Sequence, residues 1–205
     1  MKKKTKILLI IILVLILAFL GLFIGYKLYD NNTDKNTYKQ EDSIKEYGYT
    51  LDDRDTKLMK DTFKKLKSTL KSNNIDYKEY AKLLSELYVI DIFTMDNKIN
   101  KYDTPSLEYI LEDNKENFSN NITDTLYKYM LDNSDGFREQ DLPVVESIEA
   151  TNIEESTYTY KDTSYNGYKV TLSWTYKKDY GYDKKAIIDV INKDNKLFIV
   201  GYEGA

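Results

Sequence analysis

The sequence predicts an α+β protein in which a single amino-terminal transmembrane helix precedes helices packed on a curved, cone-like antiparallel sheet. Three patterns support this fold class. Residues 7–24 form an unbroken apolar run, which as a helix would cross most of a bilayer. Residues 59–95 carry apolar side chains at helical spacing. Residues 168–176 alternate apolar and polar side chains, as a half-buried strand does.

The apolar run is interpreted as a membrane anchor over residues 7–26, behind a cytoplasmic tail of residues 1–6. Four lysines precede the run, so the positive-inside rule places the amino terminus in the cytoplasm and the rest of the chain outside. The expected localisation is therefore the cell membrane, single-pass. A cleaved signal peptide is the alternative, although its apolar core is normally about 7–15 residues long. Gly21 and Gly25 have the spacing that lets two membrane helices approach closely, which predicts a contact for a homo-oligomer.

The composition excludes several classes of function. The net charge is −4, and since the first 25 residues contribute four lysines and no acidic residue, the remaining chain carries −8. This charge disfavours nucleic acid as a partner, so we expect protein, peptide or glycan partners. The chain has no histidine and no cysteine, which removes the usual catalytic triads and the imidazole or thiolate metal sites. Hence no cofactor, metal site or catalytic residue is predicted.

Residues 27–50 are polar with scattered tyrosines and are predicted to form a linker, and residues 51–205 a single extracytoplasmic α+β domain. The apolar spacing from Met59 to Leu70 predicts the first helix of that domain. Thr104-Pro105 predicts the start of a short helix that reaches residue 111.

The second helix is predicted to be the central one. It starts after Asp76, which together with Glu79 resembles a capping box, and it runs to about residue 95. Asp91 interrupts its apolar face. That side chain is either a buried acid at the floor of a pocket or a hydrogen-bonded residue near the helix end. A further helix is predicted over residues 118–130.

After residue 136 the pattern alternates, which predicts an antiparallel meander. Asn166-Gly167 is a hairpin signal, and residues 193–196 form a second short turn. The last strand should be an open edge with Phe198, Val200 and Tyr202 on one side. The five predicted strands cover residues 144–153, 156–161, 167–178, 185–192 and 196–203.

The element order from residue 51 to residue 203, behind the predicted anchor, resembles the nuclear-transport-factor-two-like (cystatin-like) domains. It looks more narrowly like the bitopic assembly subunits of type IV secretion and conjugation machines. The stretch 87–103 followed by Leu-Glu-Tyr-Ile at 107–110 is similar to that of small membrane-anchored Gram-positive bacterial proteins of this type. The resemblance implies an outer domain that assembles with other envelope proteins, and it carries over no functional residue.

The expected function is therefore a scaffold or assembly protein of a bacterial envelope complex, and the chain is not expected to be an enzyme. The first alternative is a peptide-binding or cell-wall-binding module or sensor, and the second is a pocket enzyme of the same fold. Tyr168, Trp174 and Tyr176 share one face of the predicted third strand. They either fill the core between sheet and helices, or line a pocket mouth and stack on a peptide or sugar. With Asp91, they are the candidate ligand or pocket residues.

Overall fold

The computed structural model describes residues 18–21 and 39–204. The chain divides into two units, Met1–Tyr38 and Lys39–Ala205. In the first unit, residues 18–21 are helical and exposed. Between residues 39 and 204, the second unit is an α+β domain with three α-helices and two antiparallel sheets.

The predicted single-pass arrangement in the cell membrane is contradicted. Among residues 18–21 and 39–204, the structure contains no helix with the length and apolar character needed to cross a membrane. The other positions of the predicted anchor 7–26, and the tail 1–6, lie outside the described residues.

The domain opens with an antiparallel hairpin of β1 (Gln40–Ile44) and β2 (Tyr49–Asp52). The linker predicted for residues 27–50 covers all of β1 and the first two residues of β2. Tyr49 is fully buried, and its hydroxyl donates to the carbonyl of Leu197, 3.2 Å away. The hairpin is therefore part of the domain core.

Two helices follow, α1 (Lys57–Leu70) and α2 (Tyr77–Phe93). The hydroxyl of Thr56 caps α1 by accepting from a backbone N–H of its first turn. The carboxylate of Asp76 caps α2 by accepting from two such N–H groups at 3.0 Å, as the sequence predicted. Twelve of the 17 residues of α2 are buried, which confirms it as the central helix.

The chain then forms two 3-10 turns and one more α-helix, at Leu107–Tyr109, Glu112–Asn114 and α3 (Lys115–Asp124). The helix predicted up to residue 111 is thus only a single turn, and the helix predicted over 118–130 begins earlier and ends at residue 124. Beyond α3, the buried hydroxyl of Tyr127 donates to the carbonyl of Ile92 at 2.8 Å. This bond fixes the chain after α3 to the end of α2.

The large sheet is an antiparallel meander in the order β3 (Val145–Tyr160), β4 (Thr163–Tyr176), β5 (Lys185–Lys193) and β6 (Lys196–Gly204). The first two predicted strands are therefore one. The β3–β4 turn is formed by Lys161 and Asp162, with φ of 48° and 61°, rather than by the predicted Asn166-Gly167. Gly167 lies within β4, where a Cβ would be 1.8 Å from the carbonyl oxygen of Val190. It is glycine because β5 approaches closely.

The alternation predicted along β4 is confirmed, since one face packs on the helices and the other is more exposed. The buried residues are Val170, Leu172, Trp174 and Tyr176, and the residues between them are Thr171, Ser173 and Thr175. The core lies between this face and α2.

β6 is an edge strand, but it contains a bulge. Gly201 pairs with Asp189 while Ile199 pairs with Val190, so Val200 is the extra residue. One extra residue reverses which face the following side chains take. Phe198 and Tyr202 therefore lie on opposite faces, which corrects the prediction that they share one side with Val200.

Candidate functional site

A cleft of about 710 Å³ lies between α2, α3, β6 and the β4–β5 loop. We call it the α3–β6 cleft. Its volume falls within the range of about 300–1,000 Å³ that is typical of ligand sites. Its apolar lining comes from all sides and includes Tyr88, Ile92, Phe93, Ile110, Phe118, Ile122, Leu126, Ile199 and Tyr202.

The aromatic rings of this lining are held by contacts with one another. The centroids of Tyr88 and Phe118 are 6.0 Å apart, which joins α2 to α3. Phe93, the last residue of α2, lies 6.0 Å from Tyr202 and 5.3 Å from Trp174. Since rings in such arrangements lose little freedom when a ligand binds, the floor of the cleft is preorganised.

Asparagine side chains form one rim. Asn114 is the residue just before α3, and Asn117 and Asn121 lie within it. Their spacing of three and four residues puts all three side chains on one face of the helix. The carboxamide of Asn114 accepts from Tyr160 at 3.1 Å, and that of Asn121 accepts from Thr125 at 3.3 Å. Within residues 39–204, the exposed side chain of Asn117 makes no hydrogen bond, so its donor and acceptor are available to a ligand.

The opposite wall is the backbone of β6 from Ile199 to Tyr202. Ile110 forms a parallel bridge with Ile199 and covers the edge there. From Val200 to Gly204, no strand of the described domain pairs with the outer side of β6. A row of backbone donors and acceptors therefore borders the cleft.

Asp183 lies at the mouth of the cleft. Its carboxylate accepts from the hydroxyl of Tyr202 at 2.7 Å, and its carbonyl accepts from the hydroxyl of Tyr176, also at 2.7 Å. The indole N–H of Trp174 donates to the same Tyr176 hydroxyl at 2.8 Å. Two tyrosines thus hold the β4–β5 loop in place and present a carboxylate to the cleft.

The cleft carries negative charge only. Asp183 is its one carboxylate, and no lysine or arginine is among the described residues that line it. Burial raises the pKa of Tyr88, and burial together with the Asp183 carboxylate raises the pKa of Tyr202. Both phenols therefore stay neutral and protonated near pH 7. An anionic ligand would find no counter-charge here.

The structure separates the aromatic residues that the sequence grouped on β4. Trp174 and Tyr176 are 3% and 8% exposed and lie behind the cleft, where they support Phe93 and Asp183. Tyr168 is half-buried and lies six residues away along the strand, or about 20 Å at the rise of a β-strand. It does not line the α3–β6 cleft.

Asp91 does not line the cleft either. Its carboxylate lies 2.5 Å from the ammonium of Lys98 and accepts from the hydroxyl of Ser106 at 2.8 Å. The side chains of Asp91 and Lys98 are 12% and 6% exposed. Ser106 adopts a left-handed backbone conformation with φ of 59°. Asp91 thus ties the end of α2 to the loop that follows it.

The predicted membrane-helix contact is described only in part. A Cβ on Gly21 would meet nothing within 4 Å. Gly25 lies outside the described residues.

Sequence reasoning missed most of the cleft. The spacing of Asn114, Asn117 and Asn121 is a signal that could have revealed the rim. Asp183 and Tyr202 come from a loop and from the strand after a bulge, and nothing in the local sequence links them. Their hydrogen bond depends on the tertiary structure.

Comparisons with models of known protein families, with curated proteins and with solved structures find no match. The resemblance to nuclear-transport-factor-two-like domains stays a prediction.

Proposed function

We propose that this protein is an interaction module that binds an extended peptide segment of a partner protein in the α3–β6 cleft. The observation that carries this proposal is that an unpaired sheet edge forms one wall of an apolar cleft. A small apolar ligand would need the cleft alone. A peptide uses both the cleft and the edge, because its backbone can extend the sheet while its side chains enter the cleft.

Backbone recognition comes from the two walls. On one side, β6 from Val200 to Gly204 offers main-chain groups for strand addition. On the other, Asn117 has a carboxamide that can donate to a peptide C=O and accept from a peptide N–H. A chain lying between these walls would satisfy its backbone groups on both sides.

The side chains of the partner segment follow from the lining. Phe93, Phe118 and Ile122 favour an apolar residue at the centre of the segment. The carboxylate of Asp183 at the mouth favours a lysine or arginine beside it, and the absence of lining cations disfavours acidic or phosphorylated segments. The expected partner segment is therefore extended, apolar at alternate positions and basic at one end. Such binding is a form of the assembly role expected from the sequence.

The test uses the full-length chain and a fluorescein-labelled heptapeptide that alternates valine and threonine, with phenylalanine at its centre and lysine at one end. Fluorescence anisotropy should show saturable binding. The same peptide with N-methyl groups along one backbone edge should bind at least about tenfold more weakly, because it cannot pair with β6. A peptide with glutamate in place of lysine should also bind more weakly.

A matched pair of variants locates the site. Asn117→Ala should weaken binding by about threefold to tenfold, the equivalent of one or two hydrogen bonds. Asn120→Ala, on the same helix but outside the cleft, should have no effect. The proposal is wrong if the N-methylated peptide binds as well as the parent peptide, or if no binding is seen.

A further inference from the structure

A second concavity, of about 680 Å³, lies at the far end of the large sheet, and we call it the hairpin concavity. Three adjacent strands supply its lining. Because β3 and β4 extend past the end of β5 here, the concavity lies beside the outer half of their hairpin. Its lining residues are Glu155, Ser156, Thr157, Asn166, Gly167, Tyr168 and Asn192.

The polar side chains of the hairpin concavity are unused by the protein. Among the described residues, none of the side chains of Glu155, Asn166, Asn192 and Tyr168 forms a hydrogen bond or an ion pair with another protein group, and the two hydroxyl side chains beside them form none either. Their donors and acceptors therefore face water in the free protein and can bond a ligand without breaking an internal contact.

The strand register brings these groups to one face. Tyr168 pairs with Glu155 on one side and with Val190 on the other, and directly opposed residues of an antiparallel sheet share a face. Thr157 pairs with Asn166, two residues further along each strand, so they lie on the same face. Two carboxamide side chains, of Asn166 and Asn192, and one carboxylate, of Glu155, thus surround the ring of Tyr168 on a rigid sheet.

Tyr168 provides the apolar surface in this polar setting. It is half-buried and packs against the core, which fixes its ring. The glycine beside it, Gly167, allows β5 to approach closely. The ring therefore has a defined position from which its exposed part can contact a ligand.

The charge of the hairpin concavity limits the class of ligand. Among the described residues that line it, Glu155 is the only charged one. The lysine next to Tyr168, Lys169, is adjacent on β4 and so points to the opposite face, where it lies 3.8 Å from Asp189. Phosphorylated or carboxylated ligands would meet Glu155 without a compensating cation.

We infer that the hairpin concavity binds a neutral oligosaccharide, with a sugar ring on Tyr168 and its hydroxyl groups bonded to Glu155, Asn166 and Asn192. Each sugar hydroxyl is both donor and acceptor, which matches carboxamide groups that offer both and a carboxylate that accepts. The apolar face of a sugar ring matches the ring of Tyr168. This site is separate from the α3–β6 cleft and does not depend on the function proposed for it.

The test titrates chitotetraose, cellotetraose and maltotetraose into the ¹⁵N-labelled full-length chain. At least one of the three should shift the side-chain amide signals of Asn166 and Asn192 and the backbone signal of Gly167 in a saturable way. Tyr168→Ala should weaken that binding about tenfold, whereas Tyr168→Phe, which keeps the ring, should weaken it less than about threefold.

Tyr165→Ala is the matched control, since Tyr165 is on the same strand with its side chain on the other face. It should bind the sugar as the wild type does. Far-UV circular dichroism and thermal unfolding report whether each variant is folded. If none of the three sugars shifts these signals, or if folded Tyr168→Ala binds as tightly as wild type, the inference is wrong.

Discussion

Glu86 should make the stability of the domain fall as the pH rises, and Glu86→Gln should remove that effect. Glu86 lies on α2 and is only 8% exposed. Among the described residues it has no hydrogen bond or ion pair, although Lys82 and Lys65 are near enough to favour its charged form weakly. Burial dominates and raises its pKa from 4.5 to about 7.

The direction of this pH dependence follows from proton binding. Between pH 4.5 and about 7 the folded chain holds a proton on Glu86 that the unfolded chain has lost, so the free energy of unfolding decreases as the pH rises through this window. The difference between 4.5 and about 7 corresponds to roughly 3 kcal/mol, fully expressed above pH 7. Glu86→Gln should therefore match wild type near pH 4.5 and exceed its stability by roughly 3 kcal/mol at pH 8.

Urea unfolding followed by circular dichroism at pH 5, 6, 7 and 8 measures this difference. Burial also raises the pKa of Asp55 to about 6 and that of Glu108 to about 7. Both groups are present in wild type and variant, so the difference between the two free energies of unfolding isolates the contribution of Glu86. Glu79→Gln, on the same helix in an ion pair with Lys82, should change stability by less than about 1 kcal/mol at every pH. A stability difference for Glu86→Gln that did not grow between pH 5 and pH 8 would refute the reasoning.

Two further predictions concern packing and charge. Leu172→Asp should destabilise the domain by roughly 3–5 kcal/mol, because Leu172 is fully buried, while Thr171→Asp on the opposite face should cost less than about 1 kcal/mol. Equal losses in urea unfolding would mean that the faces of β4 are misassigned. Lys98→Ala should cost roughly 3–5 kcal/mol, since it leaves the Asp91 carboxylate without its buried partner. Lys57→Ala breaks an exposed pair and should cost less than about 0.5 kcal/mol; similar losses for both lysines would contradict the buried-pair argument.

The features that the sequence predicted correctly depend on neighbours along the chain. The capped start of α2 at Asp76 and the alternation of β4 from Val170 to Tyr176 are both read within one element. Helical and strand periodicities arise from local geometry, so they are visible in a single sequence.

The features that it missed depend on distant parts of the chain. The sequence predicts a linker over most of the β1–β2 hairpin because its strands are short and polar, and Tyr49 gains its buried partners from α2, from β6 and from Tyr109. Asn166-Gly167 predicts a turn, yet in the structure the glycine allows β5 to approach closely. The bulge at Val200 has no signature in the sequence, but it decides that Tyr202 faces the cleft.

The acidic residues of α2 follow the same rule. On α2, the sequence drew attention to Asp91, which is paired, and not to Glu86, which is buried without a partner. In the sequence, Asp91 and Glu86 look alike, because each is an acidic residue within a mostly apolar helix. Only the packing of α1 and of the loop after α2 distinguishes them.

The contacts between the β1–β2 hairpin and the last strand of the domain bear on the order of folding. The hydroxyl of Tyr49 bonds the carbonyl of Leu197, and the ammonium of Lys196 lies 2.5 Å from the carbonyl of Tyr47, across 148 and 149 residues of chain. Closing so long a loop costs entropy before any contact is gained. The meander of β3 to β6, whose strands are neighbours in sequence, can form first. The β1–β2 hairpin is therefore expected to dock last, and during synthesis the domain cannot complete its structure before residue 197 has been made.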